Sequence, residues 1–486
     1  MEYIIQGKTL DEIADTIRKM TGKTDKMLAT EFAGEIASIT GGVNPTLFAP
    51  SIVVDTDTTM LTITDDGNGD FERWYMLYVN GTKVATLSSK TVTLNDTSWS
   101  LGINEITVQA AAPNFSPSGF SNSVTWIAPT AGLEYTLSED GTYATYKSPG
   151  TSPSSTIVID SAYGGVPVTE IGNAAAVFDN VTYMFIPHTV ETINDYWYWY
   201  SHTCYPNLES IEVDKDNGAY LSTDGVLYTK DGTTILRYPM RKVGTSFVIP
   251  SGVGAIHRDA FRGCSGLTSV TIPDGVTNIG NEAFVGCSGL TSVTIPKSVT
   301  QICDALNIMG RGVFGECTSL KNINVESDNK VYSSINGNLY SIEGSLVQYA
   351  CGKTETEFSV PDGVKRIEPY VFDGCENLEK IVVSDSVTSI GCNAFYSESV
   401  KIIEIGSGYK NTITSLFHPF GKIKNLKRLD FSKSTQVIGL ESSAVFLGAM
   451  TDFQIKVPEN LFEEWKNATK WSNIANNIVT EFTNTL

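Results

Sequence analysis

The chain has 486 residues, too many for one hydrophobic core at roughly 150 residues per domain. Its 54 acidic and 34 basic residues leave a net charge of −20, a surface that repels phosphate backbones and argues against a nucleic-acid partner. No run approaches the ~18 apolar residues of a membrane span, and the opening "MEYIIQGKTLDEIADTIRKM" has no basic start followed by an apolar stretch, so the expectation is a chain folded in a cytoplasm without a secretory leader.

Residues 8–39 carry helical spacing. Thr9 is placed to cap a helix with Leu10, Ile13 and Ile17 on one face, and Phe32, Ile36 and Ile39 line a second short helix after "GKTDKM". Two such helices fold poorly alone. Residues 1–42 therefore read as an anchor for another protein, or as a segment packing on the domain behind it.

Residues 43–130 change texture. Short alternating runs ("SIVVD", "MLTITD", "RWYMLYVNGTKVA", "NEITVQAAA", "NSVTWIA") are separated by turn pairs such as Asn80-Gly81, the pattern of a β-sandwich in which Trp74 is expected inside. The closing strands look like those of an immunoglobulin-like or fibronectin type III module.

Residues 131–486 are dominated by one short repeat. "GCSGLTSVTIP" stands at 263–273 and again at 286–296. Counted from the closing proline, Val253 and Ile256, Val276 and Ile279, Val299 and Ile302, Val364 and Ile367, and Val387 and Ile390 recur. An aromatic column follows: Phe261, Phe284, Phe314, Phe372, Phe395. Val270 with Ile272 and Val293 with Ile295 alternate as buried strand positions, which turns Ser269, Thr271, Ser292 and Thr294 to solvent. Stacked repeats bury a continuous core, so a parallel solenoid is expected, each unit being one strand and an irregular return.

A larger duplication overlies the small one. "IEVDKDNGAYLSTDGVLY" at 211–228 matches "INVESDNKVYSSINGNLY" at 323–340, and both read as hairpins turning at Asp224-Gly225 and Asn336-Gly337. Residues 457–486 predict a helical cap with Phe462, Trp465 and Trp471 on its apolar side. Cys264, Cys287, Cys317 and Cys375 mark one repeat column and are expected as buried free thiols.

The sequence offers little for chemistry. Four histidines stand without a partner motif, and no phosphate loop or nucleophile elbow occurs. No catalytic, cofactor or metal site is assigned, and an enzyme is not expected. "DDGNGD" at 65–70 and "DKDNG" at 214–218 read as polar turns more readily than as calcium loops. One stretch stands apart, Tyr196, Trp197, Tyr198, Trp199 and Tyr200: five consecutive aromatics either bind a partner or plug the start of the solenoid.

The units "AFRGCSGLTSVTIP" and "AFVGCSGLTSVTIP", with the hairpins and the Trp-bearing terminus, resemble the BspA-type leucine-rich repeats over about residues 131–486. The wording "GKTLDEIADTIRKMTGKTDKM…EFAGEIASI" resembles an N-terminal segment of bacteriophage tail and fibre proteins. Together the resemblances imply a mainly β, multidomain virion protein: an anchor at 1–42, an immunoglobulin-like spacer at 43–130 and a repeat domain at 131–486. They imply assembly in the host cytoplasm, attachment to other virion proteins, a homo-oligomer such as a trimer, and a host-surface glycan or protein as receptor. Its candidate contacts are Tyr196–Tyr200, Ser269, Thr271, Ser292 and Thr294. The alternative is a surface adhesin or interaction module of a bacterium or protist; a polysaccharide depolymerase comes third.

Overall fold

The computed structural model describes residues 49–55, 60–64, 73–93, 102–112, 117–128, 130–172, 177–194, 204–303, 311–413, 419–420, 423–442, 446 and 452–483. The expected helices carrying Leu10, Ile13, Ile17, Phe32, Ile36 and Ile39 lie outside these residues, as do Tyr196–Tyr200 and the turn at 65–70. The chain divides into two compact units near residue 131, with residues 156–162 belonging to the front one.

Besides Thr156–Val158, the described residues of the front unit hold seven strands: β1 (Ser51–Asp55), β2 (Met60–Thr64), β3 (Trp74–Val79), β4 (Thr82–Leu87), β5 (Thr91–Thr93), β6 (Gly102–Ala111) and β7 (Val124–Ala128). They form two antiparallel sheets in the orders β1-β2-β5 and β4-β3-β6-β7. Ile52, Leu61 and Ile63 from the first sheet share one core with Tyr75, Leu77, Ile106 and Val108 from the second. The period-2 rule dictates which side chains enter it. In β3 it places Tyr75, Leu77 and Val79 inside, so Trp74 is half-buried on the opposite face, contrary to expectation. Asn80 and Gly81 (φ 49° and 77°) make the tight β3–β4 turn that "NG" announces. Asn122 closes the unit by accepting from the Ile52 amide (2.8 Å) and donating to its carbonyl (2.9 Å).

The second unit is a parallel stack of coils. Ser246–Val248, Ser269–Thr271, Ser292–Ile295 and Asn322–Val325 pair in that order, and Glu357–Ser359, Lys380–Val382, Ile402–Glu404, Arg428–Asp430, Gln454–Lys456 and Ile478–Val479 form a second such sheet. The return is not irregular in five of the coils. Ala255–Ile256, Asn278–Ile279 and Gln301–Ile302 are two-residue strands of another parallel sheet, and Arg366–Ile367 with Ser389–Ile390 repeat the device. Two residues are too few to show an alternation, which is why the sequence hid these strands.

Every member of the aromatic column is buried. The rings stack at 4.9 Å (Phe261–Phe284), 5.3 Å (Phe284–Phe314), 5.9 Å (Phe372–Phe395) and 5.6 Å (Phe395–Phe420). Tyr238 and Tyr349 head the two runs, each one coil before its phenylalanine, Phe261 and Phe372. From Val226 onward the core is correspondingly split, one cluster running from Val226 to Ala350 and another from Tyr340 to Ile478.

The break between them is made by the second of two hairpins. Tyr220–Thr223 with Val226–Thr229, and Tyr332–Ile335 with Asn338–Ser341, turn at Asp224-Gly225 (φ 50° and 71°) and Asn336-Gly337 (φ 51° and 74°). Each interrupts the ladder, and a tyrosine covers the gap. Tyr220 Oη accepts from the Ile193 amide and Tyr332 Oη from the Ile302 amide, both at 2.8 Å, where the next coil's carbonyl would otherwise stand.

Two further expectations are corrected. Cys375 is not a free thiol: it is joined to Cys351, which lies outside the repeat column at a sequence separation of 24, while Cys264, Cys287 and Cys317 remain free and buried. Column members point the same way and cannot bond one another, whereas Cys351 approaches from the preceding coil. The cap is not one helix either. A 3₁₀ turn (Glu459–Leu461), a short α-helix (Phe462–Asn467) and a second 3₁₀ segment (Trp471–Asn477) are broken at Lys470 (φ 71°). The spacing of Trp465 and Trp471 would put them on different sides of a straight helix; the break lets both be fully buried against Phe431.

Candidate recognition surface

The register of the sheet at 246–325 aligns its outward side chains into rows. Ser246, Ser269, Ser292 and Asn322 form one, and the next outward positions along the strands hold Val248, Thr271, Thr294 and Asn324. All eight are exposed, Val248 to 68%. Ser269, Thr271, Ser292 and Thr294 thus stand where the sequence placed them. Among the described residues, none of their four hydroxyls has a hydrogen-bond partner.

Neighbouring threonine columns behave differently. Thr268 and Thr291 donate to the Thr245 and Thr268 carbonyls (3.0 and 3.4 Å), and Thr277 and Thr300 to those of Gly254 and Thr277 (3.2 and 3.4 Å). Those hydroxyls tie coil to coil; the central ones do not.

The sheet at 357–479 presents another chemistry at the equivalent rows. Glu357, Lys380 and Arg428 stand in one, and Glu404, Asp430 and Lys456 in the next. Lys380 bridges Glu357 (3.2 Å) and Glu404 (2.9 Å), and Lys456 pairs with Glu481 (3.3 Å), so this face largely neutralises itself.

The structure adds two features the sequence did not reveal. Where the hairpin at 332–341 interrupts the stack, a groove of about 630 Å³ opens, with Thr300, Cys303, Lys330, Ile342, Arg366 and Glu368 among its walls. Beside it a charged chain crosses the seam between modules: Asp259–Arg262 (3.0 Å), Arg262–Glu282, Arg311–Glu316 and Arg311–Asp373 (3.5 Å). Asp373 is 1% exposed, and neither carboxylate oxygen has a hydrogen-bond partner. Burial pushes its pKa up to about 7, against the pull of Arg311. Arg237 is also fully buried, donating to the Asp259 carbonyl at 2.6 Å and that of Arg262 at 3.3 Å.

Two further features of the sequence, within the described residues, serve the fold. Asn217 of "DKDNG" is completely buried and bonds only backbone, and among the described residues no cluster of three His, Cys, Asp or Glu side chains is placed to hold a metal. Burial raises the Cys264 thiol to about 12 and that of Cys287 well above its ordinary value, which leaves both protonated and inert. Among the described residues no helix is long and apolar enough to cross a membrane.

Parallel stacked coils, two of which (260–273 and 283–296) carry an AF-x-G-C turn, a leucine and a strand closed by proline, set the geometry for comparison. Residues 242–348 and 340–468 match the model of the BspA type leucine-rich repeat region, in six copies. This part of the chain is a BspA-type leucine-rich-repeat domain. Among solved structures, the chain is similar to a leucine-rich cell surface protein of Faecalibacterium prausnitzii, with 24% identity, 73% of this chain and 97% of that one covered, and a TM-score of 0.42. It is similar to a leucine-rich repeat protein of Eubacterium ventriosum at 29% identity, covering 58% of this chain and 62% of that one, with a TM-score of 0.34. The pneumococcal vaccine antigen PcpA aligns at 18% identity over 73% of this chain and 98% of its own, with a TM-score of 0.41. No curated protein matches the chain.

Proposed function

We propose that the chain is an adhesion protein that acts by binding, not by catalysis, and that its BspA-type repeat domain is the recognition surface. One observation carries the reading: rows of exposed side chains at Ser269, Thr271, Ser292 and Thr294, with hydroxyls uncommitted to the fold, held at fixed spacing by a rigid stack. Repeating weak contacts suit multivalent attachment, which several copies in one assembly would strengthen.

The front unit serves as a spacer. Its strand order, three against four with β4 beside β3, supports the immunoglobulin-like or fibronectin type III reading. The phage-like wording of residues 8–39 supports placement on a virion, as a tail-fibre or baseplate-associated receptor-binding protein, with Leu10, Ile13, Ile17, Phe32, Ile36 and Ile39 as anchor residues and Tyr196–Tyr200 as further receptor contacts.

A second reading, a bacterial cell-surface adhesin, is favoured by the Cys351–Cys375 disulfide, since such bonds persist mainly in oxidising surroundings. Labelling the full chain with antibody in purified particles and on intact cells separates the two. The adhesion reading itself is tested by binding the full chain to bacterial surfaces. It is lost if Thr271→Lys/Thr294→Lys and a chain lacking residues 195–200 both bind as the parent does.

A further inference from the structure

Two strand faces of the repeat domain, at 246–325 and 357–456, differ in charge, and that difference names a ligand class. Across 246–248, 269–271, 292–295 and 322–325 there is no ionisable side chain, in a chain whose net charge is −20. The equivalent face at 357–359, 380–382, 402–404, 428–430 and 454–456 carries six at its outward positions. An uncharged patch in an acidic surface is where a partner without charge meets neither repulsion nor the cost of desolvating an ion pair.

The patch itself is built of hydroxyls, amides and methyl groups. Ser246, Ser269, Ser292 and Asn322 supply groups that both donate and accept hydrogen bonds. One step along the strands, Val248, Thr271, Thr294 and Asn324 add methyls beside hydroxyls and an amide. Rows repeat at the ~4.8 Å strand spacing of a β-sheet, so four coils span ~14 Å. That pitch is comparable to the rise of an extended hexose chain, whose hydroxyls and C–H faces match such rows in alternation.

Resting on the adhesion reading above, we infer that the face formed by Ser269, Thr271, Ser292 and Thr294 binds a neutral polysaccharide laid across the strands. The ligand needs no metal or ion pair. Binding is weak per rung and additive over rungs, and it is insensitive to salt because no charged contact is made.

The full chain is tested by affinity electrophoresis in gels holding a neutral β-glucan, a neutral mannan, a neutral galactan or polygalacturonate. The same samples are assayed for attachment to bacterial surfaces. The expected result is retardation by at least one neutral polymer, unchanged in high salt. Thr271→Lys/Thr294→Lys weakens it about tenfold or more, and Thr271→Val/Thr294→Val, which keeps the β-branched shape, weakens it by a smaller factor. Unchanged melting of both variants shows that the stack is intact. Retardation by polygalacturonate alone overturns the inference, as does retardation by none of the four while attachment to cells persists; in that last case the adhesion reading survives. Loss of attachment to every surface overturns both.

Discussion

Asn217 and Asn329, at matching positions of the long duplication, make the same four hydrogen bonds. Asn217 Nδ2 donates to the carbonyls of Pro187 (2.8 Å) and Val190 (2.9 Å), while Oδ1 accepts from the amides of Ala219 and Tyr220 (2.8 Å each). Asn329 does this with Pro296 (2.8 Å), Val299 (3.0 Å), Val331 (2.9 Å) and Tyr332 (2.8 Å). One buried amide thus fastens each hairpin to the coil before it. Removing the amide strands two carbonyls and two N–H groups away from water. Asn329→Ala is expected to cost ~2–4 kcal/mol in urea unfolding. Asn329→Asp should cost as much, because a carboxylate cannot donate to the two carbonyls. A loss below ~1 kcal/mol in both would remove the latch from the account.

Asp373 makes stability depend on pH. Its folded pKa of about 7 lies above the ordinary carboxylate value, raised by burial and by Glu316 and opposed by Arg311 and Arg262. The folded state therefore favours the protonated acid. Its contribution is complete below ~pH 4 and is lost as pH rises through about 7, by up to ~2–4 kcal/mol. Urea midpoints should fall between about pH 4 and 7 and level off above it, and Asp373→Asn should flatten the profile over that window. A parent profile as flat as the variant's refutes the assignment.

Cys351 and Cys375 close a loop of the second module, with a sequence separation of 24. Cys351→Ser should lower stability by ~3 kcal/mol under oxidising conditions and change little under reducing ones. The first module holds Met240 where the second holds Cys351, its side chain lying against Gly263 beside Cys264. Met240→Cys should accordingly form a second bridge to Cys264, visible by mass spectrometry of non-reduced peptides.

Gly374 is fixed by a neighbour and Gly363 by conformation alone. A Cβ on Gly374 (φ +84°) would lie 2.4 Å from Glu316 Cα across the module seam, whereas one on Gly363 (φ +92°) meets nothing within 4 Å. Gly363→Ala should cost ~1 kcal/mol, the left-handed penalty. Gly374→Ala adds a backbone clash and should exceed ~3 kcal/mol. Thermal melts of the two side by side test the ordering.

Much of this was legible before any coordinates. Val253, Ile256 and Phe261 have counterparts in coil after coil because each coil meets the same surroundings as the last, so one environment selects one residue type again and again. The Asp224-Gly225 and Asn336-Gly337 turns were equally readable, since two adjacent left-handed residues admit few side chains. The Asn217 and Asn329 latch left a trace in the shared "DN", but an asparagine in a turn has commoner reasons to be there.

What the repeat did not encode lies where unlike coils meet. Arg311 and Asp373 are far apart in the chain and belong to no common column; only the stacking of one module on the next brings them to 3.5 Å. The same holds for Cys351 with Cys375 and for the broken cap around Trp465 and Trp471. The sequence by itself determined the coil, its buried columns, its exposed Ser and Thr rows and the two hairpins, all set by local pattern and period. Tertiary structure alone decided the disulfide, the groove and the buried acid at the seam, because a contact made once, between chain segments that do not repeat, leaves no periodic mark.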